Sequence, residues 1–261
     1  MPLVETERSD GVLTITLCDE ARRNALSREL LNQLMDALDE VDNDPDIRVG
    51  VVTNRGNVFC AGANLAEQSN GAEGASRTIG LVELFTKIQT SPKPIVGVIK
   101  GHCVAGGVGL AAVMDISIAL DTSMFGFTEV RVGVAPAMIS VVCLPKMRLA
   151  DAKSAFLRGN RFSAAEAAQM GLINEVAASD DIDDELRNIV NDLLAGAPSA
   201  LAAAKQLTQR VPSMGADEAF DWTQSLSGAL FATDQAREGM AAFLEKRPAS
   251  WVRRLASDID E

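Results

Sequence analysis

One pattern constrains this chain more than any other: an apolar run of strand length that ends in a loop of very small residues, and that recurs. "IRVGVVT" (47–53) leads through Gly56 to "FCAGANL" (59–65), and "PIVGVIKG" (94–101) leads to "HCVAGGVGLAAVM" (102–114), which then turns helical. "DISIAL" (115–120) leads in the same way to "MFGFTEVRVGV" (124–134). Successive strand–loop–helix units of this kind predict a stack of supersecondary repeats, although residue-level self-similarity is weak. A chain of 261 residues is long enough for one large α/β domain, with at most a small appendage, and for a substantial core. Two full-sized domains would be cramped.

The flanking segments are easier to assign. Residues 3–8 and 12–17 alternate and turn at Ser9-Asp10-Gly11, which predicts a hairpin. From Ser27, a plausible N-cap, the residues Leu30, Leu31, Leu34, Leu38 and Val41 recur at helical spacing until Asp44-Pro45. The segment 67–76, with Ser69-Asn70-Gly71, reads as a mobile loop. Beyond Pro136 the chain reads as mostly helical: Ser163 to Glu166 form a capping box, Gly171 is a helix stop, and "LINEVA" (172–177) is a short strand. Helices are then expected over 182–194, 198–210, 216–231 and 233–246, with Pro198 in a first turn. The expected plan is an α/β body over 1–194 and a helical region over 195–261. The latter is too small for a core of its own and suited to packing on a partner subunit.

Composition removes several function classes. The single histidine, His102, excludes zinc sites built from several imidazoles, and the absence of tyrosine excludes Ser-Tyr-Lys dehydrogenases. With 36 acidic and 24 basic residues, a net charge of -12, the chain lacks the basic stripe that nucleic-acid binding requires. The four cysteines, Cys18, Cys60, Cys103 and Cys143, form no CxxC pair and sit in apolar runs, as reduced core residues do in an intracellular protein. The N-terminus does not resemble a cleaved signal, and the apolar stretch 104–114 is too short to span a bilayer. A cytoplasmic protein without a metal or a membrane partner is expected.

Chemistry in such a chain has to come from the backbone. "CAGAN" and "VAGGVG" offer little beyond peptide N–H groups, and small side chains let a ligand approach them closely. The second segment also opens a helix, where unpaired N–H groups and the macrodipole favour negative charge. Two such loops face to face would make an oxyanion hole. The alternative for each loop is close helix–sheet packing alone. Gly107-x-Gly109-x-x-Ala112 with Asp121 also imitates a dinucleotide site, but a Rossmann turn follows its strand at once, and here residues 101–106 intervene. His102, Cys60 and Cys103 show no neighbouring group that would activate them and are read as packed residues.

The segments "RRNALS", "FCAGANLAE", "VAGGVGLAAVMDI", "FGFTEVRVGVAP", "FSAAEAAQMGLINEV" and "EGMAAFLEKR" occur in the order and spacing of the crotonase (enoyl-CoA hydratase/isomerase) superfamily, which the chain resembles over nearly its whole length. In motif it is most similar to the methylglutaconyl-CoA hydratase-like branch. The resemblance implies an α/β crotonase-like spiral of ββα units over 1–194. It also implies a helical C-terminal oligomerisation region over 195–261, a homotrimer or a hexamer made as a dimer of trimers, and an acyl-CoA substrate. Coenzyme A would enter as part of that substrate, with no separate cofactor. The thioester oxygen would be held by the N–H groups of Ala63 and Gly106. Of the two glutamates that handle water in typical hydratases, one maps to Glu129, while the other position holds Gly109. Arg22, Arg23, Ala25, Ala61, Asn64, Leu65, Phe243 and Lys246 map to the coenzyme and substrate contacts, and Ala66 stands where many members carry a lysine. Three functions follow: a hydratase acting through Glu129, an isomerase with a single glutamate, or an acyl-CoA binder without turnover. Asn64 and Ser140 are polar candidates to assist Glu129, although either suits a turn or cap equally well.

Overall fold

A computed structural model describes residues 2–63 and 80–255. The ten strands of the described residues lie in two sheets. The larger sheet runs in the order β1 (Val4–Ser9), β2 (Val12–Leu17), β3 (Val49–Asn54), β5 (Ile95–Ile99), β7 (Ile116–Leu120) and β10 (Glu175–Ala177). The smaller runs β4 (Val58–Cys60), β6 (His102–Val104), β8 (Met124–Gly126) and β9 (Arg161–Ser163). The chain therefore lays one strand in each sheet per unit: β3 then β4, β5 then β6, β7 then β8. This alternation is what the repeated apolar runs encode.

Only β1–β2 and β8–β9 pair antiparallel; the other neighbours are parallel. The β1–β2 hairpin turns through Asp10 (φ 48°) and Gly11 (φ 87°), the two positive φ angles that a tight hairpin with right-twisted strands needs. Strands β3 and β5 are buried almost throughout, which explains why they read as continuous apolar runs rather than alternating ones.

Helix α1 (Arg28–Asn43) starts as its sequence predicts, with the Ser27 hydroxyl accepting from Leu30 N, and it buries Leu30, Leu31, Leu34, Leu38 and Val41. It is followed by α2 (Leu81–Thr90), α3 (Gly106–Val113), α4 (Ala137–Cys143), α5 (Leu149–Arg158) and α6 (Ala164–Gln169). All eight residues of α3 are buried. The capping box at Ser163 and Glu166 is present, and Gly171 adopts φ 85° after α6. One element departs from the helical reading of this region. Residues 161–163 form β9, which is too short to show alternation and is held by pairing with β8, with Phe162 stacked on Phe125 at 6.3 Å between ring centroids.

The last four helices are α7 (Ile182–Ala195), α8 (Pro198–Arg210), α9 (Ala216–Phe231) and α10 (Asp234–Glu245). Two nearly buried cations tie this region to the spiral. Lys205 Nζ on α8 donates to Ile88 O (2.7 Å) and lies 2.7 Å from Asp115 Oδ2. Arg48, just before β3, donates to Gly196 O (2.7 Å) and Trp251 O (3.1 Å). Helix α9 has no buried residue at all. Among the described residues, no helix is long and apolar enough to cross a membrane.

Candidate active site

Three neighbouring parallel strands end side by side, and each end contributes one part of the site. In the small sheet Cys60 pairs with Cys103, Cys103 with Phe125, and Val104 with Gly126. The C-terminal ends of β4, β6 and β8 thus emit the loop 61–63, the turn 105–106 and the 3-10 turn Thr128–Val132 at one edge. Ligand sites of parallel sheets lie at this edge.

The first loop is fixed by backbone bonds to the segment before α1: Ala61 N donates to Arg23 O (3.1 Å) and Leu26 N donates to Gly62 O (2.8 Å). Gly62 has φ 83°, and a Cβ there would sit 2.8 Å from Gly106 N and 2.9 Å from the Ala105 Cβ. Both the left-handed backbone and the close approach demand glycine. A Cβ on Gly106 would in turn lie 3.5 Å from Ala63 N, so the two loops are in contact. Ala105 adopts φ 49° and ψ -127°, a conformation that costs an alanine about 1–3 kcal/mol. Its own N–H donates to Gly126 O (2.9 Å), and the reversal starts α3 at Gly106. Neither Ala63 N–H nor Gly106 N–H finds an acceptor among the described residues. At the first position of a helix that is expected, and the dipole of α3 adds to the attraction for an anion.

Glu129 lies in the 3-10 turn after β8. Its carbonyl accepts from Gly133 N and Val134 N (3.2 Å), which fixes the turn. Its side-chain Oε2 is buried with no hydrogen-bond partner. Burial pushes this carboxyl above the usual glutamate range, opposed in part by its own backbone N–H. Arg131, two residues on, directs its guanidinium to Arg158 O (2.9 Å), and among the described residues it makes no ion pair with Glu129. Ala61, Ala63, Gly106 and Glu129 line one cavity of about 300 Å³, whose remaining wall is mostly apolar, from Leu81, Val132, Val134, Pro136, Met138 and Ile139. A larger cavity of about 610 Å³ lies among α8, α9, α10 and Trp251 and has no titratable group on its wall.

Several sequence-predicted residues lie elsewhere. Arg22 is 3.5 Å from Asp19, and Arg23 lines a separate small cleft of about 80 Å³ with Glu20 and Arg55. Ala25 joins them in the segment that braces loop 61–63. Phe243 is 83% exposed on α10, and Lys246 caps that helix at φ 55°; neither lines the cavity. Asn64, Leu65, Ala66 and the loop 67–76 lie outside the described residues. The Ser140 hydroxyl donates to Ala137 O (2.6 Å), the cap-like alternative. His102 Nδ1 accepts from Met124 N (3.2 Å) and acts as a strand brace. Cys60 and Cys103 are buried, and burial pushes the Cys60 thiol up to about 12. Gly107 answers a packing need, since a Cβ there would lie 2.3 Å from Cys60 O; the dinucleotide-like spacing is a by-product of close packing, on a strand at Gly107 and on neighbouring helices at Gly109. Within the small-residue loop 104–109 nothing in the sequence marks Ala105 as the strained position.

Two backbone N–H groups without an acceptor among the described residues, a carboxyl with an unpartnered oxygen and a mostly apolar cavity share one edge of one sheet. Residues 7–254 match the enoyl-CoA hydratase/isomerase family. The chain belongs to that family. It is 31% identical to Enoyl-CoA hydratase EchA19 of Mycobacterium tuberculosis over 258 residues, covering 95% of this chain and 96% of that protein. It is 30% identical to the 2,3-dehydroadipyl-CoA hydratase of Escherichia coli over 248 residues, covering 95% and 97%. The crystal structure of an enoyl-CoA hydratase of Mycobacterium smegmatis superposes with a TM-score of 0.88 at 28% identity, covering 96% of this chain and 99% of that one. As a family member the protein is an enoyl-CoA hydratase-like enzyme with the crotonase fold.

Proposed function

We propose that the enzyme adds water across the 2,3 double bond of a 2-enoyl-CoA thioester, with Glu129 as its acid–base group and Ala63 N–H and Gly106 N–H as its oxyanion donors. The observation that carries this reading is the buried, unpartnered Oε2 of Glu129 in the same cavity as both donors. The Glu129 carboxylate takes a proton from water as the water oxygen bonds to Cβ, and the electron pair of the double bond moves onto the thioester as an enolate. The two N–H groups hold the oxygen's charge, each worth about 3–4 kcal/mol at the transition state. The Glu129 carboxyl then gives its proton to Cα, which completes the addition of H and OH and restores the carboxylate. The apolar wall suits a hydrocarbon acyl chain.

Coenzyme A enters only as part of the substrate, with Arg22, Arg23, Ala25, Ala61, Asn64 and Leu65 along its path and Phe243 and Lys246 supplied by a neighbouring subunit. An α9 with no buried residue and the exposed Phe220, Phe231, Phe243 and Leu244 support a trimer or hexamer, and the location is proposed to be cytoplasmic. The second reading is double-bond isomerisation, favoured by the lack of room for a side chain at Gly109, since moving a double bond needs one proton-shuttling base. Incubation with crotonyl-CoA and with a 3-enoyl-CoA separates the two. Loss of the 2-enoyl absorbance from the first supports hydration; its appearance from the second, without hydration of the first, makes the enzyme an isomerase.

A further inference from the structure

Gly109 is where α3 comes up against α4. A Cβ built on Gly109 would lie 2.4 Å from Ile139 Cγ2, 2.8 Å from Ile139 Cβ and 2.9 Å from Phe85 Cζ, separations that a close-packed interior does not tolerate between carbons. Ile139 is 3% exposed, yet it also lines the cavity that holds Glu129 and the two oxyanion donors. One side chain therefore does two things: it closes over the bare Cα of Gly109, and it presents a methyl-covered wall to the acyl site. The rest of α4 supplies no polar substitute. Ser140 is committed to Ala137 O, and Cys143, one turn further on, is a buried thiol pushed up to about 12, chiefly by burial, with the charge of Glu129 adding to the shift.

We propose that Ile139 is the residue that keeps position 109 free of a carboxyl: by filling the space beside Gly109 it bars a second acid–base side chain there, so that Glu129 carries both proton transfers. The proposal rests on the hydration reading. The proton that Glu129 takes from water is the proton it returns to Cα, and no other group in the described wall has to change its charge. Two features that look separate in the sequence, the glycine inside α3 and the apolar Ala137-Met138-Ile139 of α4, are then one packing solution. Enlarging residue 109 requires shrinking residue 139.

A double-mutant cycle tests the steric half. In the protein as it stands, Gly109→Ala lowers the thermal midpoint by several degrees; in an Ile139→Gly background, where of these close contacts only the end of the Phe85 ring remains, the same substitution lowers it by clearly less. Equal losses in both backgrounds overturn the packing claim. Should the Ile139→Gly protein not fold, Ile139→Ala serves in its place: it removes the Cγ2 contact at 2.4 Å but keeps the Cβ at 2.8 Å, so the loss is reduced and not abolished. The chemical half is read from the pH dependence of kcat/KM for crotonyl-CoA. The unaltered enzyme shows one ionisation on the acid limb, and the Gly109→Glu, Ile139→Gly double variant shows two. Two ionisations in the unaltered enzyme, or an unchanged limb in a folded double variant, overturn the proposal. An unaltered protein that leaves 2-enoyl thioesters intact overturns the hydration reading and the chemical half with it, while the melting cycle still decides the steric half.

Discussion

Asp115, just before β7, and Glu129, in the turn just after β8, are both acids at a strand end, and burial raises the carboxyl of each. Their surroundings differ in every other respect. Asp115 Oδ2 accepts from Ile95 N (2.7 Å) and from Lys205 Nζ (2.7 Å), and Lys146 lies near enough to pull its carboxyl back down. Glu129 Oε2 has no partner. A buried polar group is normally paired, because an unpaired one costs its full desolvation. The paired acid is thus a structural joint that fastens α8 to the spiral, whereas the other leaves one buried oxygen without a partner at a cost to stability, as the proposed acid–base role requires. What separates structure from function here is the list of partners and not the degree of burial.

The largest test of that contrast is Glu129→Gln. Turnover of a 2-enoyl-CoA falls by about 10²–10⁴-fold, the usual worth of a positioned acid–base group, while the thermal midpoint does not drop, because no hydrogen bond is lost. A variant that melts early would make Glu129 a structural acid like Asp115. The reverse result is expected for Lys205→Met, which strands Asp115 in the interior. Unfolding in denaturant then shows a loss of about 3–5 kcal/mol, with kcat per folded molecule retained in the cold. The smallest effect is the pH response. Because the native carboxyl of Glu129 titrates above the ordinary glutamate range, activity that needs the carboxylate falls with acid while ordinary glutamates are still charged. Stability moves the opposite way: a group whose pKa is raised by folding favours the native state while protonated, and loses that contribution as pH rises through the native pKa. Glu129→Gln removes this loss, so the stability profiles of the two proteins diverge on the alkaline side of the step.

The local elements were legible in the sequence because local chemistry determines them. Ser27 caps α1 and Ser163 with Glu166 boxes α6, each within four residues of the helix that it starts. The parts of the site were legible for a similar reason, since small-residue loops after apolar strands point to backbone donors. What was hidden depends on contacts between distant segments. That Ala61, Ala63, Gly106 and Glu129 face one cavity follows from the parallel order β4-β6-β8, which no single segment encodes. The strained turn falls on Ala105, where glycine would have been the natural signal. The Asp115–Lys205 pair spans 90 residues, and the fit of Ile139 over Gly109 joins two helices whose patterns, taken separately, look like ordinary core. Strand β9 has three residues and needs β8 to exist.

The guanidinium of Arg48 binds carbonyls 148 and 203 residues further along the chain, and burial there depresses its pKa. A ribosome adds about 5–20 residues per second, so roughly 10–40 s separate the emergence of Arg48 from that of Trp251. Through that interval β3, an interior strand of the large sheet, has a charged and unclasped flank. The clasp is complete only once Trp251, made 203 residues after Arg48, is available to it.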